Sequence, residues 1–108
     1  MAFFGDREYT VKIDKLRTGE IRYLCWNNNS SLLGRPNLVL VNGKVRQSPE
    51  KDAVEYVFSH ENSTFTVEHI SAIQKGGMEY FFLEVCDQEQ KKSTWKMDPK
   101  DIPKYFIL

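Results

Sequence analysis

Several features that mark specialised classes of protein are scarce in this sequence of 108 residues. It contains 2 cysteines, too few for a scaffold held together by disulfides. The 15 Lys and Arg balance the 15 Asp and Glu, which argues against a nucleic-acid or membrane-surface binder. No apolar run approaches the roughly 20 residues of a membrane span. We therefore expect one soluble domain over residues 1–108, with no nucleic-acid or membrane partner.

Alanine is also scarce and occurs only at Ala2, Ala53 and Ala72. Val, Ile and Thr together occur 19 times, and 14 residues are aromatic. Alanine is the best helix former, whereas β-branched and aromatic side chains suit the pleated surface of a sheet. The composition therefore favours a β-rich fold, and a hydrophobic fraction of 41% is too high for a disordered chain.

No secretory signal is visible at the start of the sequence. The charged residues Asp6, Arg7 and Glu8 follow the apolar start at once, which leaves no room for the apolar centre of a signal peptide. We therefore expect either a cytoplasmic protein or a mature secreted form, and the compartment stays open between them.

Strand patterns follow one another at short spacing from residue 9 onward. Tyr9–Asp14 alternates between apolar and polar residues, and 18–20 is typical of a tight turn that leads into a second strand, Ile21–Trp26. The next hairpin is predicted from 37–41 and 44–47, because the Asn-Gly pair between them is the strongest two-residue signal for such a turn.

A third hairpin is predicted either with its turn at Asn62-Ser63 or with a four-residue loop, His60–Ser63. Both alternatives place four apolar side chains on one face and leave the other face mostly polar, as an antiparallel pair with one buried face requires. The four side chains are Tyr56, Phe58, Phe65 and Val67.

The last hairpin is predicted from 78–87 and 93–97. One face carries the apolar residues Phe81, Leu83, Val85, Trp95 and Met97, and the opposite face is mixed, with Tyr80, Phe82, Glu84, Cys86, Thr94 and Lys96.

Short helical turns are predicted at Ser48–Lys51 and Asp98–Asp101, where a capping residue precedes proline. The apolar run 105–108 is expected to pack into the sheet or the core.

These patterns together predict an all-β protein. We expect about six to eight strands, with one or two short helical turns, in a small mostly antiparallel barrel or a compact sandwich. The barrel is favoured, because the hairpins follow in sequence without crossover-length loops.

No catalytic, metal or nucleotide-binding motif is evident in the sequence. The predicted pairing separates His60 and His69 by roughly 13 Å along one hairpin, too far for both to bind one metal ion. Gly76-Gly77 lacks the Gly-Lys-Ser/Thr ending of a phosphate loop and is interpreted as a turn. We therefore expect a protein that has no cofactor and is not an enzyme.

The two cysteines, Cys25 and Cys86, each lie in a predicted strand, and three interpretations compete. They are buried free thiols, or they form a disulfide if their Cα atoms lie within about 7 Å in an oxidising compartment. A catalytic cysteine is disfavoured, because neither flanking sequence supplies a group that would lower the thiol pKa.

The loop over 27–36 is the first candidate for a binding surface. It follows Trp26 and carries the adjacent Leu32 and Leu33 close to Arg35. Two adjacent leucines in a loop either plug the end of a barrel or form a recognition tip, and loops on a rigid sheet commonly carry binding residues.

The mixed face of the last hairpin is the second candidate. Tyr80 and Phe82 lie on it, and aromatic residues are enriched in binding hot spots. The competing interpretation is that the N-terminal phenylalanines and the C-terminal run cover this face as a second layer.

The leading functional hypothesis is a non-enzymatic protein that recognises another protein through an exposed loop or aromatic patch, for example as an inhibitor-type module. The alternative is a small-molecule or lipid carrier with a lipocalin-like barrel. The sequence has Phe, Leu, Val, Trp and Met at the inward-facing positions. These large side chains predict a filled interior, which counts against a carrier. An oligonucleotide-binding barrel would use Tyr80, Phe82 and Lys96, but the zero net charge disfavours it.

Overall fold

Nine β-strands account for most of the residues that the computed structural model describes, which are 2–28, 35–47, 53–71 and 79–100. The strands are β1 (Ala2–Gly5), β2 (Tyr9–Lys15), β3 (Ile21–Asn27), β4 (Leu38–Leu40), β5 (Lys44–Gln47), β6 (Ala53–His60), β7 (Ser63–Ser71), β8 (Glu79–Cys86) and β9 (Lys92–Pro99). They form one curled antiparallel sheet, a half-barrel. The predicted all-β fold is confirmed, with slightly more strands than expected. Within these ranges, no helix has the length and apolar content to span a membrane.

The order of strands in the sheet is β4-β3-β2-β1-β9-β8-β7-β6-β5. Three of the predicted hairpins, β2–β3, β6–β7 and β8–β9, are confirmed. Gly19 adopts φ 92° in the first of these turns, a conformation that glycine reaches without steric cost. The predicted helical turn at 48–51 and the run 105–108 lie outside the described residues.

The β6–β7 hairpin keeps the predicted faces, and its register is not that of a turn at Asn62-Ser63 but that of the alternative loop over His60–Ser63. Its turn residues are Glu61 and Asn62, at φ 49° and 71°, and Phe58 therefore pairs with Phe65 and not with Val67. The difference shifts the pairing by two residues. Because side chains alternate with a period of two, the same apolar residues still point into the core.

The N-terminal strand β1 occupies a central place in the sheet, which the sequence did not indicate. It pairs with β2 on one side and with β9 on the other. Strand β9 pairs with β8 as far as Met97 and then with β1 through Asp98 and Pro99. The helical turn predicted at these residues is therefore wrong. Proline is tolerated at 99 because β8 no longer pairs there, so the missing N–H removes no hydrogen bond on that side.

The predicted hairpin across the Asn-Gly pair is also wrong. Strand β4 pairs with β3 and β5 pairs with β6, so these consecutive strands lie at opposite edges of the sheet. Asn42 has the expected positive φ of 57°, but Gly43 does not share it, and a type I′ turn needs both. Instead, residues 41–43 carry the chain across, and the Gly43 N–H donates a 3.0 Å hydrogen bond to the Ile21 carbonyl.

Gly43 crosses directly over the ring of Phe58. A Cβ atom at residue 43 would overlap this ring, and Phe58 is only 1% exposed, so the ring has little room to move. The glycine is therefore required for space at the point where the chain joins the two edges of the sheet.

The core lies on the inner face of the curled sheet. Phe4 of β1 stacks on Phe81 of β8 with 4.1 Å between ring centroids, and His69 stacks on the other side of Phe81 at 4.2 Å. These rings join strands from both halves of the sheet. Other inward side chains that are less than 2% exposed are Val11, Ile13, Tyr23, Phe58, Val67 and Met97.

We predict that Gly43→Ala destabilises the protein by about 1–3 kcal/mol, since an added methyl group overpacks a filled core. Urea unfolding followed by circular dichroism measures the free energy of unfolding. The same substitution in a Phe58→Leu background should cost clearly less, because the smaller side chain leaves space for the methyl group. An equal cost in both backgrounds would show that contact with the ring is not the reason for the glycine.

Candidate functional site

An apolar cavity of about 290 Å³ opens at the end of the half-barrel that carries the β6–β7 and β8–β9 hairpins. We call it the mouth cavity. Eight of the described side chains line it: Tyr9, Tyr23, Cys25, Leu38, Phe65, Leu83, Val85 and Trp95. None of these eight is an acid or a base of the Asp, Glu, Lys, Arg or His type, so they bring no formal charge to the cavity at neutral pH.

The cavity exists because inward residues near the mouth leave space that deeper residues fill. Cys25 and Val85 are small side chains at mouth-end positions of β3 and β8. Deeper in the half-barrel, the ring of Tyr23 lies 5.6 Å from Phe58 and 5.8 Å from Phe65, and these rings close the interior. The sequence expectation of an interior filled by large side chains therefore holds below the cavity but not at the mouth.

A polar network holds the rim beside Tyr9. The Asp6 carboxylate accepts a 2.9 Å hydrogen bond from the Tyr9 N–H, at the start of β2. The hydroxyl of Thr10, which is 2% exposed, donates to Asn28 Oδ1 at 2.7 Å and accepts from Lys100 Nζ at 2.8 Å. These bonds tie three chain segments together and fix the strand that presents Tyr9 to the cavity.

The rim carries aromatic surface that solvent reaches. Tyr9 and Trp95 are each 36% exposed, although both belong to the cavity lining. Aromatic rings at the edge of an apolar cavity can cover a bound group and exclude water from it.

The polar groups of the lining are neutral. Burial raises the pKa of the Tyr23 hydroxyl far above its usual range, and the neighbouring Cys25 raises it further. Burial also raises the pKa of the Cys25 thiol, and it outweighs the opposite effect of a side-chain hydrogen bond with Tyr23. Both groups therefore stay protonated at physiological pH.

Two of the four residues predicted for the loop surface, Trp26 and Arg35, belong to the described part of the chain. Trp26 is 4% exposed, on the outer face of β3, so it is a buried residue and not part of an exposed patch. Arg35 is exposed. Leu32 and Leu33 lie outside the described residues.

Tyr80 and Phe82 lie together on the outer face of the half-barrel, as predicted. Their rings form an edge-to-face pair with 5.4 Å between centroids, and Lys96 Nζ lies 5.1 Å from the centre of the Tyr80 ring. Both aromatic side chains are half-buried. We call these three residues the outer patch; β8 separates it from the mouth cavity, because it lies on the opposite face of the sheet.

The two cysteines are free thiols and do not form a disulfide with each other. Cys25 faces the mouth cavity, whereas Cys86 lies on the outer face of β8, opposite Thr64 and Lys92. Among the described residues, no group of three His, Cys, Asp or Glu side chains could hold a metal ion.

The mouth cavity is not evident from the sequence. Strand alternation predicts most of its lining residues as core, and the Asn-Gly signal pairs the strand of Leu38 with the wrong neighbour. The available signal was the small size of Cys25 and Val85 at inward positions, but their proximity across the sheet depends on strand order.

We predict that a small alkylating reagent modifies Cys86 before Cys25 in the folded protein at neutral pH. Cys25 is 9% exposed and its raised pKa keeps it a thiol, so it should react roughly tenfold more slowly than Cys86 and faster as the pH rises. Mass spectrometry of the protein treated with iodoacetamide, beside Cys25→Ala and Cys86→Ala controls, assigns each rate. Equal rates in the folded protein would contradict the assignment of Cys25 to a buried, neutral environment.

Comparisons of this chain with protein-family models, curated proteins and solved structures found no match. The functional proposal for the protein accordingly depends on the geometry and chemistry of its own residues. Within the described part of the chain, the mouth cavity and the outer patch are two features that a binding function can use.

Proposed function

We propose that this protein is a non-enzymatic binding protein that holds a compact, mostly apolar small molecule in its mouth cavity. The observation that carries the proposal is an open cavity of about 290 Å³ whose lining is apolar and aromatic. This was the alternative hypothesis from the sequence, and the unfilled mouth is what favours it.

The size and place of the cavity are those of a small-molecule site. Ligand pockets occupy about 300–1,000 Å³, are lined mainly by apolar and aromatic residues, and occur in the mouths of β-barrels. A volume of 290 Å³ lies at the lower end of that range and holds about ten water-sized groups at ~30 Å³ each. A ligand of one or two fused rings fits this space better than a long lipid chain does.

The filled interior limits how deep the ligand can lie. Val11, Ile13 and Met97 are at most 1% exposed and belong to the same packed hydrophobic cluster as several of the lining residues. The ligand therefore enters and leaves through the mouth, between the exposed rings of Tyr9 and Trp95.

We predict that Val85→Phe fills the cavity and lowers the affinity for a neutral apolar probe at least about tenfold, or ~1.4 kcal/mol. N-phenylnaphthylamine, whose fluorescence rises in apolar surroundings, measures this binding by titration. The matched control is Val57→Phe, which adds the same volume at an outward position of β6.

Three results decide the outcome of this titration. A stoichiometric probe signal in the wild type and in Val57→Phe, lost in Val85→Phe, supports the proposal. Absence of binding by the folded wild type would overturn it. Equal binding by all three proteins would place the probe elsewhere on the molecule.

Recognition of another protein, the leading hypothesis from the sequence, is supported by a different observation. The edge-to-face rings of Tyr80 and Phe82 stand beside a shallow outer groove of about 350 Å³. Three carboxylates and one guanidinium line that groove: Glu55, Glu68, Glu84 and Arg46. The surface is suited to a partner that presents basic side chains next to an apolar one.

We predict that Tyr80→Ser with Phe82→Ser abolishes capture of a partner protein from a lysate of the source cells, while Val85→Phe retains it. The loss follows because aromatic anchors dominate protein interfaces, whereas the cavity faces the opposite side of the sheet. Thermal unfolding confirms that both variants are folded. A partner lost only from Val85→Phe would place protein recognition at the mouth and not at the outer patch.

A further inference from the structure

The Tyr23 hydroxyl and the Cys25 thiol are the buried polar side-chain groups among the described residues that line the mouth cavity, whereas Tyr9 and Trp95 hold their polar groups at its exposed rim. Tyr23 and Cys25 lie two residues apart on β3, both line the cavity, and each influences the pKa of the other. Tyr23 is 1% exposed, so its hydroxyl group is shielded from bulk water. Polar groups in such positions usually fix the orientation of a ligand and determine which ligands bind.

The Cys25 thiol beside the Tyr23 hydroxyl is a poor hydrogen-bond partner, and a ligand can improve on it. Thiol sulfur is a weak acceptor, whereas a carbonyl or ether oxygen is a good one. A ligand oxygen that reached the Tyr23 hydroxyl would therefore accept a stronger hydrogen bond than the thiol can, in surroundings that exclude water.

An anionic ligand meets no cation among the described residues that line this cavity. None of these residues is basic, and the Tyr23 hydroxyl and the Cys25 thiol are neutral. A carboxylate moved from water into such a site would lose its hydration without gaining a cation, which is costly. This argues against fatty acids, which combine an anionic head with a chain too long for the available volume.

We propose that the mouth cavity selects neutral, compact apolar molecules that carry one oxygen acceptor, and that the Tyr23 hydroxyl donates a hydrogen bond to that oxygen. This inference rests on the proposed small-molecule function and adds the chemical class of the ligand. Tyr23 is then the residue that determines specificity, and the rest of the lining supplies apolar contact area.

Three ligands with the same ring system test the selectivity. Naphthalene, its methyl ketone and its carboxylate compete with N-phenylnaphthylamine in displacement titrations on the wild-type protein. The ketone should bind about two- to tenfold tighter than naphthalene, the range expected for one added hydrogen bond. The carboxylate should bind at least about a hundredfold more weakly than the ketone, because it enters as an unpaired charge.

Two variants test the role of Tyr23. Tyr23→Phe removes only the hydroxyl oxygen, so the affinity for the ketone should fall to that for naphthalene, while the affinity for naphthalene should stay unchanged. Tyr56→Phe is the matched control: Tyr56 is also an inward, buried tyrosine at 5% exposure, but it does not line the cavity. An unchanged preference for the ketone in Tyr23→Phe would overturn the assignment.

A spectroscopic measurement removes the dependence on a stable variant. The carbonyl stretch of the bound ketone should move to lower frequency than in hexane, as it does when a hydroxyl group donates to the oxygen. A bound ketone with the hexane frequency would overturn the proposal.

The displacement experiment also separates the two levels of inference. Failure of all three compounds and of the probe to bind would overturn the small-molecule function itself. Equal binding by naphthalene, the ketone and the carboxylate would retain the cavity as a binding site and overturn the selectivity. Tight binding by the carboxylate alone would do the same and would require a cation at the mouth.

Discussion

The passage of the chain over the Phe58 ring at Gly43 is the constraint on which the architecture depends. Within the described ranges the protein has one sheet and no helix to cover it, so the sheet buries its inner face only by curling onto itself. The two edges of that sheet, β4 and β5, are neighbours in the chain, and three residues join them. The absence of a side chain at Gly43 lets this connection lie against the core, so that rings from opposite halves of the sheet can stack.

The curl also explains why the molecule is filled at depth and open at the mouth. The ring of Tyr23 on β3 contacts those of Phe58 on β6 and Phe65 on β7, and these contacts join opposite halves of the sheet in the interior. Towards the mouth the inward positions include the smaller Cys25 and Val85, which do not reach across the same span. The polar bonds around Thr10 hold the rim in place without supplying apolar volume, so a space remains that has the size of a small ligand.

Inner and outer faces of β8 carry two surfaces of different chemistry. The inner face contributes Leu83 and Val85 to a cavity without charge, suited to a small apolar molecule. The outer face presents Tyr80 and Phe82 among carboxylates, which suits a larger and partly basic partner. Because side chains alternate along a strand, one sequence of eight residues carries both surfaces, and substitutions at adjacent positions can test them independently.

The sequence by itself determined the all-β class, three hairpins and the inward residues of most strands, because alternation and turn chemistry are local properties. Both alternatives for the third hairpin leave Tyr56 and Phe58 facing inward, since their registers differ by two residues and a shift of two preserves the faces. Tertiary structure alone decided that β1 lies between β2 and β9, that Asn42-Gly43 joins opposite edges, and that a cavity remains at the mouth. Each of these depends on which distant strands become neighbours, and that choice follows from the packing of the whole inner face.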